Sequence, residues 1–271
     1  MKKFFVLLCV LVLVAGFAVA DDIGLTVGAE FGIGNINKTD DGDWEPYLTP
    51  SIAYDKSFLD DALDFSTGLD YTFDFTPSFG IATQTLGFDI SVNYSLSLGS
   101  ASTLSFYLAD RNDVTISPKS DEDNNITGTL TPGIKFSQKT GIGSIYARVR
   151  APIDYMQADK NADMTVGLRS RLGWDSTFGL GLWAQVKSKL APEVVGYNGV
   201  DANISYTADS FYVDATTYIG KELSDGISIE PYFEYYLGSF TFYIDCTFDG
   251  VAAEGGGAVT ISPCIGVTFS F

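Results

Sequence analysis

The chain has 271 residues, 46% of them hydrophobic and 14% aromatic, with 28 Gly, 9 Pro and no histidine. Its 34 acidic residues outnumber 16 basic ones, for a formal charge of −18 at pH 7. That surplus argues against nucleic acid as a partner, because phosphate binding needs a basic surface. The missing imidazole excludes any mechanism that uses it as base or metal ligand.

Residues 1–20 carry the marks of a cleavable signal peptide. Met1, Lys2 and Lys3 give a basic start, Phe4 to Val14 is unbroken apolar sequence, and Ala18-Val19-Ala20 is a small-x-small cleavage site. Leu8 is too large for a lipoprotein cleavage site, so Cys9 is filler within the apolar run. Loss of Lys2 and Lys3 takes the charge from −18 to −20. No later stretch approaches the ~18 apolar residues of a membrane helix. Residues 21–271 are expected to form one unit with no linker, second domain or N-terminal plug.

The remainder alternates with period 2, the repeat of a β-strand. In the first run Ile23, Leu25, Val27, Ala29, Phe31 and Ile33 take one face. Gly24, Thr26, Gly28, Glu30, Gly32 and Gly34 take the other. The pattern predicts strands at 22–34, 46–55, 63–75, 84–98, 103–110, 126–137, 142–155, 162–175, 178–190, 200–208, 211–220, 227–237, 240–249 and 258–271. These segments have roughly the length of a tilted strand crossing a bilayer. The predicted class is all-β: a closed antiparallel transmembrane β-barrel of about fourteen strands, an even number that returns both ends to one side.

The connections alternate as such a barrel requires. Short ones fall at 99–102, 138–141, 175–177, 208–210 and 238–239. Longer polar ones fall at 35–45, 111–125, 156–161, 191–199, 221–226 and 250–257. Two break the rule: 76–80 is short where a long loop is due, and 56–62 is long where a turn is due. A two-residue turn at Gly238-Ser239 sets Leu237 opposite Phe240, Tyr235 opposite Phe242 and Phe233 opposite Ile244, all on the apolar face. The same parity points Cys246 outward and Cys264 inward, which argues against a disulfide between them.

The polar face is mostly Gly, Ser and Thr with spaced charges and tyrosines, as a wet lumen would be. On the apolar face Trp174, Phe178, Tyr206, Phe211, Phe240, Phe269 and Phe271 cluster beside the short turns, an interfacial girdle. The last strand carries Val259, Ile261, Ile265, Val267, Phe269 and Phe271. This resembles the assembly signal of outer-membrane barrels, with Val267, Phe269 and Phe271 at its end. With the signal peptide and the strand count, the chain resembles the bacterial outer-membrane porin superfamily, without matching one substrate-specific family. The resemblance implies residence in the outer membrane of a diderm bacterium. It also implies contact with outer-membrane lipid, periplasmic chaperones and the barrel-insertion machinery. It implies no cofactor and sets no oligomeric state.

The inward charges divide. Lys135, Arg148, Arg150, Arg169, Arg171, Lys187 and Lys189 lie on the sixth to ninth strands, a basic wall. Glu30, Asp70, Asp89, Asp214, Glu230, Glu234, Asp245 and Asp249 fall around the other side, an acidic wall. Arg148 faces either Arg169 or Arg171, the latter register also setting Arg150 opposite Arg169. Opposed walls suit a channel for passive diffusion of small hydrophilic solutes or ions; the alternative is a non-conducting structural or adhesin-type barrel. Fourteen strands give a backbone radius of about 14 Å, more than small side chains fill. Tyr107, Tyr146, Trp183, Tyr212, Tyr218, Tyr232, Tyr236 and Tyr243 form a candidate track for ring-bearing solutes. The acidic tips Asp40-Asp41-Gly42-Asp43 and Asp121-Glu122-Asp123 are solvated loops before they are metal sites. No catalytic or metal-binding set stands out, and the chain is not expected to be an enzyme.

Overall fold

Strict alternation gives each strand one apolar and one polar face, and a sheet of such strands can hide neither face from water by itself. Closing the sheet into a ring removes its edges and leaves the two faces as an outside and a lumen. A computed structural model of the chain describes residues 24–34, 36, 45–76, 80–116, 125–157, 164–221, 226–251 and 259–271. The expected signal peptide at 1–20, both acidic loop tips and the Gly255-Gly256-Gly257 run lie outside these residues.

In chain order the strands are β1 (Leu25–Gly34), β2 (Glu45–Phe58), β3 (Leu63–Phe75), β4 (Ile81–Ser97), β5 (Ser102–Ile116), β6 (Asn125–Thr140), β7 (Gly143–Arg150) and β8 (Ile153–Gln157). They continue as β9 (Met164–Ser176), β10 (Leu180–Ala191), β11 (Val200–Thr207), β12 (Phe211–Ile219), β13 (Ile227–Leu237), β14 (Phe240–Val251) and β15 (Thr260–Ser270). Every pairing is antiparallel, and β1 closes the ring by pairing with both β2 and β15. β7 and β8 are one stave: both lie between β6 and β9, and Ile134 opposite Val149 shares its register with Leu130 opposite Ile153. The break falls at Ala151-Pro152, where proline has no N–H for the ladder. The result is a closed antiparallel barrel of fourteen staves.

The molecule is apolar on the outside. Among the described residues, Val27, Tyr146 and Cys264 are the buried hydrophobics, while Phe106, Leu108, Ile134, Phe136, Leu182, Val186, Phe233 and Tyr235 are exposed. A continuous exposed apolar belt of this kind is stable against hydrocarbon and not against water. At the rim carrying the short turns the aromatic rings touch in sequence. Trp174 lies 6.1 Å from Phe178, Tyr206 6.0 Å from Phe211, Phe240 4.6 Å from Phe269, and Phe269 4.5 Å from Phe271. The hairpin at 238–239 has the expected register, including Phe233 opposite Ile244. Cys246 lies opposite Pro263 and Cys264 opposite Asp245, so the two thiols point to opposite faces and are free.

Two expectations are corrected. β2 runs on to Phe58, so the supposed long connection at 56–62 is a turn at 59–62. It is tight enough to hold Leu59, Asp60 and Asp61 at positive φ, a conformation Asp tolerates better than most residues. The connection at 76–80 stays short on the long-loop rim. More consequentially, β5 does not stop at residue 110 but reaches Ile116. Arg111 and Asp113 thereby become lumen residues, and Asp110 and Asn112 fall on the outer wall.

The outer-wall pair is held by Tyr155. Asp110 sits opposite Ile90 and Leu130, Asn112 opposite Phe88 and Gly128, and Gly128 opposite Tyr155, all on the apolar face. The single Tyr155 hydroxyl hydrogen is shared between Asn112 Oδ1 at 2.6 Å and Asp110 Oδ1 at 3.1 Å, and Asn112 Nδ2 donates to Asp110 Oδ2 at 3.0 Å. Asp110 is six residues from Leu104 and six from Ile116, about 20 Å of strand either way. A carboxylate so far inside an apolar stripe is tolerated because its two oxygens have donors from its own wall.

Candidate functional site: the charged lumen

On β6, β7, β9 and β10 the inward positions fall into cross-strand rows. One row runs Lys135, Arg148, Arg171 and Gln185; the next runs Gly133, Arg150, Arg169 and Lys187; Lys189 lies opposite Gly167 beyond them. The register is therefore the one that sets Arg148 against Arg171 and Arg150 against Arg169. Like charges directly opposed across a strand pair repel, so the wall must offset that cost locally.

Aromatic rings supply part of the offset. The Arg171 guanidinium carbon lies 3.4 Å from the Trp183 ring centroid, Arg150 4.6 Å from Tyr107, and Lys135 Nζ 4.4 Å from Tyr146. Each such contact attracts a cation to the negative face of the ring. Tyr146 itself packs over Gly173, where a Cβ would come within 2.2 Å of its Cζ, so a larger residue there would have to displace the ring. At one end of the row Arg171 Nε donates to Gln185 Oε1 at 3.2 Å, and Gln185 Nε2 donates to buried Asp201 at 3.0 Å. Lys187 forms an ion pair with the same Asp201 at 2.6 Å. Among the described residues no carboxylate forms an ion pair with Arg148, Arg150, Arg169 or Arg171. The Nε atoms of Arg148 and Arg150 are buried and meet no acceptor among the described residues.

The acids are held differently. Glu30 accepts from Tyr47 at 2.9 Å and Tyr243 at 2.7 Å; Glu230 accepts from Tyr218 at 2.9 Å; Glu234 accepts from Tyr236 at 2.6 Å and from Tyr232. Asp214 and Asp245 flank Tyr232 on neighbouring strands, and Asp249 accepts from Ser228. Thus most of the inward tyrosines proposed as a solute track serve as donors to carboxylates or as floors beneath cations. Asp70 and Asp89 belong to neither wall. They converge on Arg111, whose Nη1 lies 2.6 Å from Asp70 and 3.6 Å from Asp89, while Nη2 lies 2.7 Å from Asp113. This ion cluster packs over Gly87, where any Cβ would strike Arg111 Nη2 at 2.0 Å.

Two cavities open on the basic side of the lumen. The larger, about 480 Å³, is lined by Asn93, Ser105, Tyr107, Lys135, Arg148 and Arg150 together with further serine and threonine hydroxyls. The smaller, about 250 Å³, is lined by Asp154, Arg169, Lys187, Lys189 and Asn198. Reasoning from sequence missed Arg111, Asp113, Gln185 and Asp201. The inward parity of Tyr107 carried on to residue 113 would have found the first two, and the row opposite Arg171 the others.

No protein-family model and no curated protein sequence matches the chain. Solved structures that it resembles include a Rhodopseudomonas blastica porin variant, at a TM-score of 0.46 and 12% identity, covering 92% of this chain and 100% of that one. Another is CdiB from Acinetobacter baumannii, at 0.46 and 11%, covering 92% and 60% respectively. A third is the outer membrane phospholipase A of Escherichia coli, at 0.45 and 12%, covering 69% and 80%. Identities and TM-scores this low carry no function across.

Proposed function

We propose that the chain is a bacterial outer-membrane porin, exported by its N-terminal segment, whose lumen passes small hydrophilic ions or solutes. The observation that carries this reading is the unneutralised cationic row Lys135, Arg148 and Arg171 with Arg150 and Arg169 beside it. A barrel closed by salt bridges would have used those groups to knit its walls, as Arg111 does with its three aspartates. Guanidiniums kept on aromatic floors and away from carboxylates remain available to solutes in the lumen. The acidic arc of Glu30, Asp214, Glu230, Glu234 and Asp245 faces them from the other part of the ring, so a solute would cross a transverse field. Purified protein in a planar bilayer should give discrete single-channel steps; a silent bilayer with correctly folded protein favours the structural or adhesin-type barrel.

The same proposal assigns Val267, Phe269 and Phe271 to recognition by the insertion machinery. Replacing Phe271 with Ser is expected to lower the amount of heat-modifiable, folded barrel in outer-membrane fractions several-fold. Normal yield and rate would contradict that role.

A further inference from the structure

We infer that the cavity on the wall formed by β4 to β7 is a binding site for a small phosphate-type oxyanion, alone or carried by a polar organic group. This rests on the reading of the lumen as water-filled, since the ligand must reach it from solution. Three cations converge on the cavity, Lys135, Arg148 and Arg150, and no carboxylate lines it. The Nε donors of Arg148 and Arg150 are buried without an acceptor among the described residues. Those Nε atoms are covered by the protein, so a ligand would meet the accessible part of each half-buried guanidinium. An acceptor-only ligand with several oxygens offers these cations the partner that the wall does not supply. Tyr107 and Tyr146 hold Arg150 and Lys135 from one side only, which leaves N–H donors for the other.

The neutral part of the lining fits the same ligand class. Ser95 and Ser105 share one hydrogen bond at 2.9 Å. That bond uses one of their two O–H groups, and the second can donate outward. At about 480 Å³ the cavity exceeds an inorganic phosphate, leaving room beside the cations for hydroxyl-bearing substituents against Ser95, Thr103, Ser105 and Asn93. Arg111 is the internal contrast: it lies on the same face of neighbouring β5, but its guanidinium is taken by Asp70 and Asp113, so it offers a solute little.

The test uses the full chain folded in detergent micelles and titrated calorimetrically with inorganic phosphate, chloride serving as the comparison at equal ionic strength. Saturable phosphate binding is expected, weakened at least tenfold in the R148Q/R150Q double variant and unchanged in K56Q, which alters a charge on the outer wall. No saturable binding, or equal binding in the double variant, overturns the inference. Should the double variant fail to fold, the native chain still decides. Phosphate should slow phenylglyoxal modification of Arg148 and Arg150, read by peptide mass spectrometry, where chloride does not; equal rates overturn the site. Phosphate binding by a chain that passes no current would keep this site and sink the pore. A conducting chain that ignores phosphate would do the reverse.

Discussion

Arg111 and the arginines of β7 and β9 share the lumen and differ in almost everything else. Arg111 is enclosed by three aspartates from β3, β4 and its own strand. Arg148, Arg150, Arg169 and Arg171 face one another, with aromatic rings beneath Arg150 and Arg171 and, among the described residues, no carboxylate in ion-pair contact. The first arrangement ties three strands together and sets one guanidinium against three carboxylates, so it presents no free cation to the lumen. The second works against folding and presents its charge where a solute can meet it. The same residue type thus ties the wall on one strand and faces the lumen without a described carboxylate partner two staves away, and what separates the two is the partner set.

The largest stability effect should come from the tied arginine. Arg111→Gln leaves Asp70 and Asp113 without their cation, and the folded barrel is expected to lose about 1–3 kcal/mol, measured as the urea midpoint of the protein in lipid vesicles. A neutral result would show that the cluster does not hold the wall. The opposite sign is expected from Arg148→Gln with Arg171→Gln. Removing opposed like charges should leave stability unchanged or raise it by a few tenths of a kcal/mol. Loss of more than about 1 kcal/mol there would mean that these arginines are structural after all.

Much of this was legible in the sequence. The hairpin at Gly238-Ser239 followed from counting, because a one-residue slip would have mixed apolar and polar faces. The Arg148–Arg171 pairing was one of two registers that parity allowed. What escaped was the upper half of β5. Asp110-Arg111-Asn112-Asp113 looks like a loop because it places polar residues on both faces, and alternation carries no signal through it. Arg111 is held by aspartates of β3 and β4 along the same wall and in turn holds Asp113, while Asp110 and Asn112 are held by Tyr155, 45 residues away from Asp110. Local pattern cannot report such distant partners. Asp201 and Gln185 were missed for a related reason: their role is set by the row they join and not by their neighbours in sequence.

The smallest effect sharpens the contrast from outside. Asp110→Leu removes a carboxylate from the apolar wall while the Tyr155 hydroxyl keeps its bond to Asn112. Stability should rise by up to about 1 kcal/mol, since acidic side chains on the lipid face cost modestly. Conductance and ion preference should not change, because the residue is outside the lumen. A drop in stability would show that the trio contributes more to the wall than its desolvation costs.

The central claim is that the unneutralised arginines face the conduction path, and the reversal potential across a planar bilayer under a salt gradient tests it most directly. The native protein should show a weak cation preference at low salt. Neutralising Arg148 and Arg171 together should increase the cation-to-anion permeability ratio by about twofold or more, and neutralising Glu30 and Asp245 should move it towards anions. Both shifts should fade at 1 M salt, where the screening length falls to about 3 Å. Reversal potentials unmoved by either double substitution, in a folded and conducting protein, would contradict the claim.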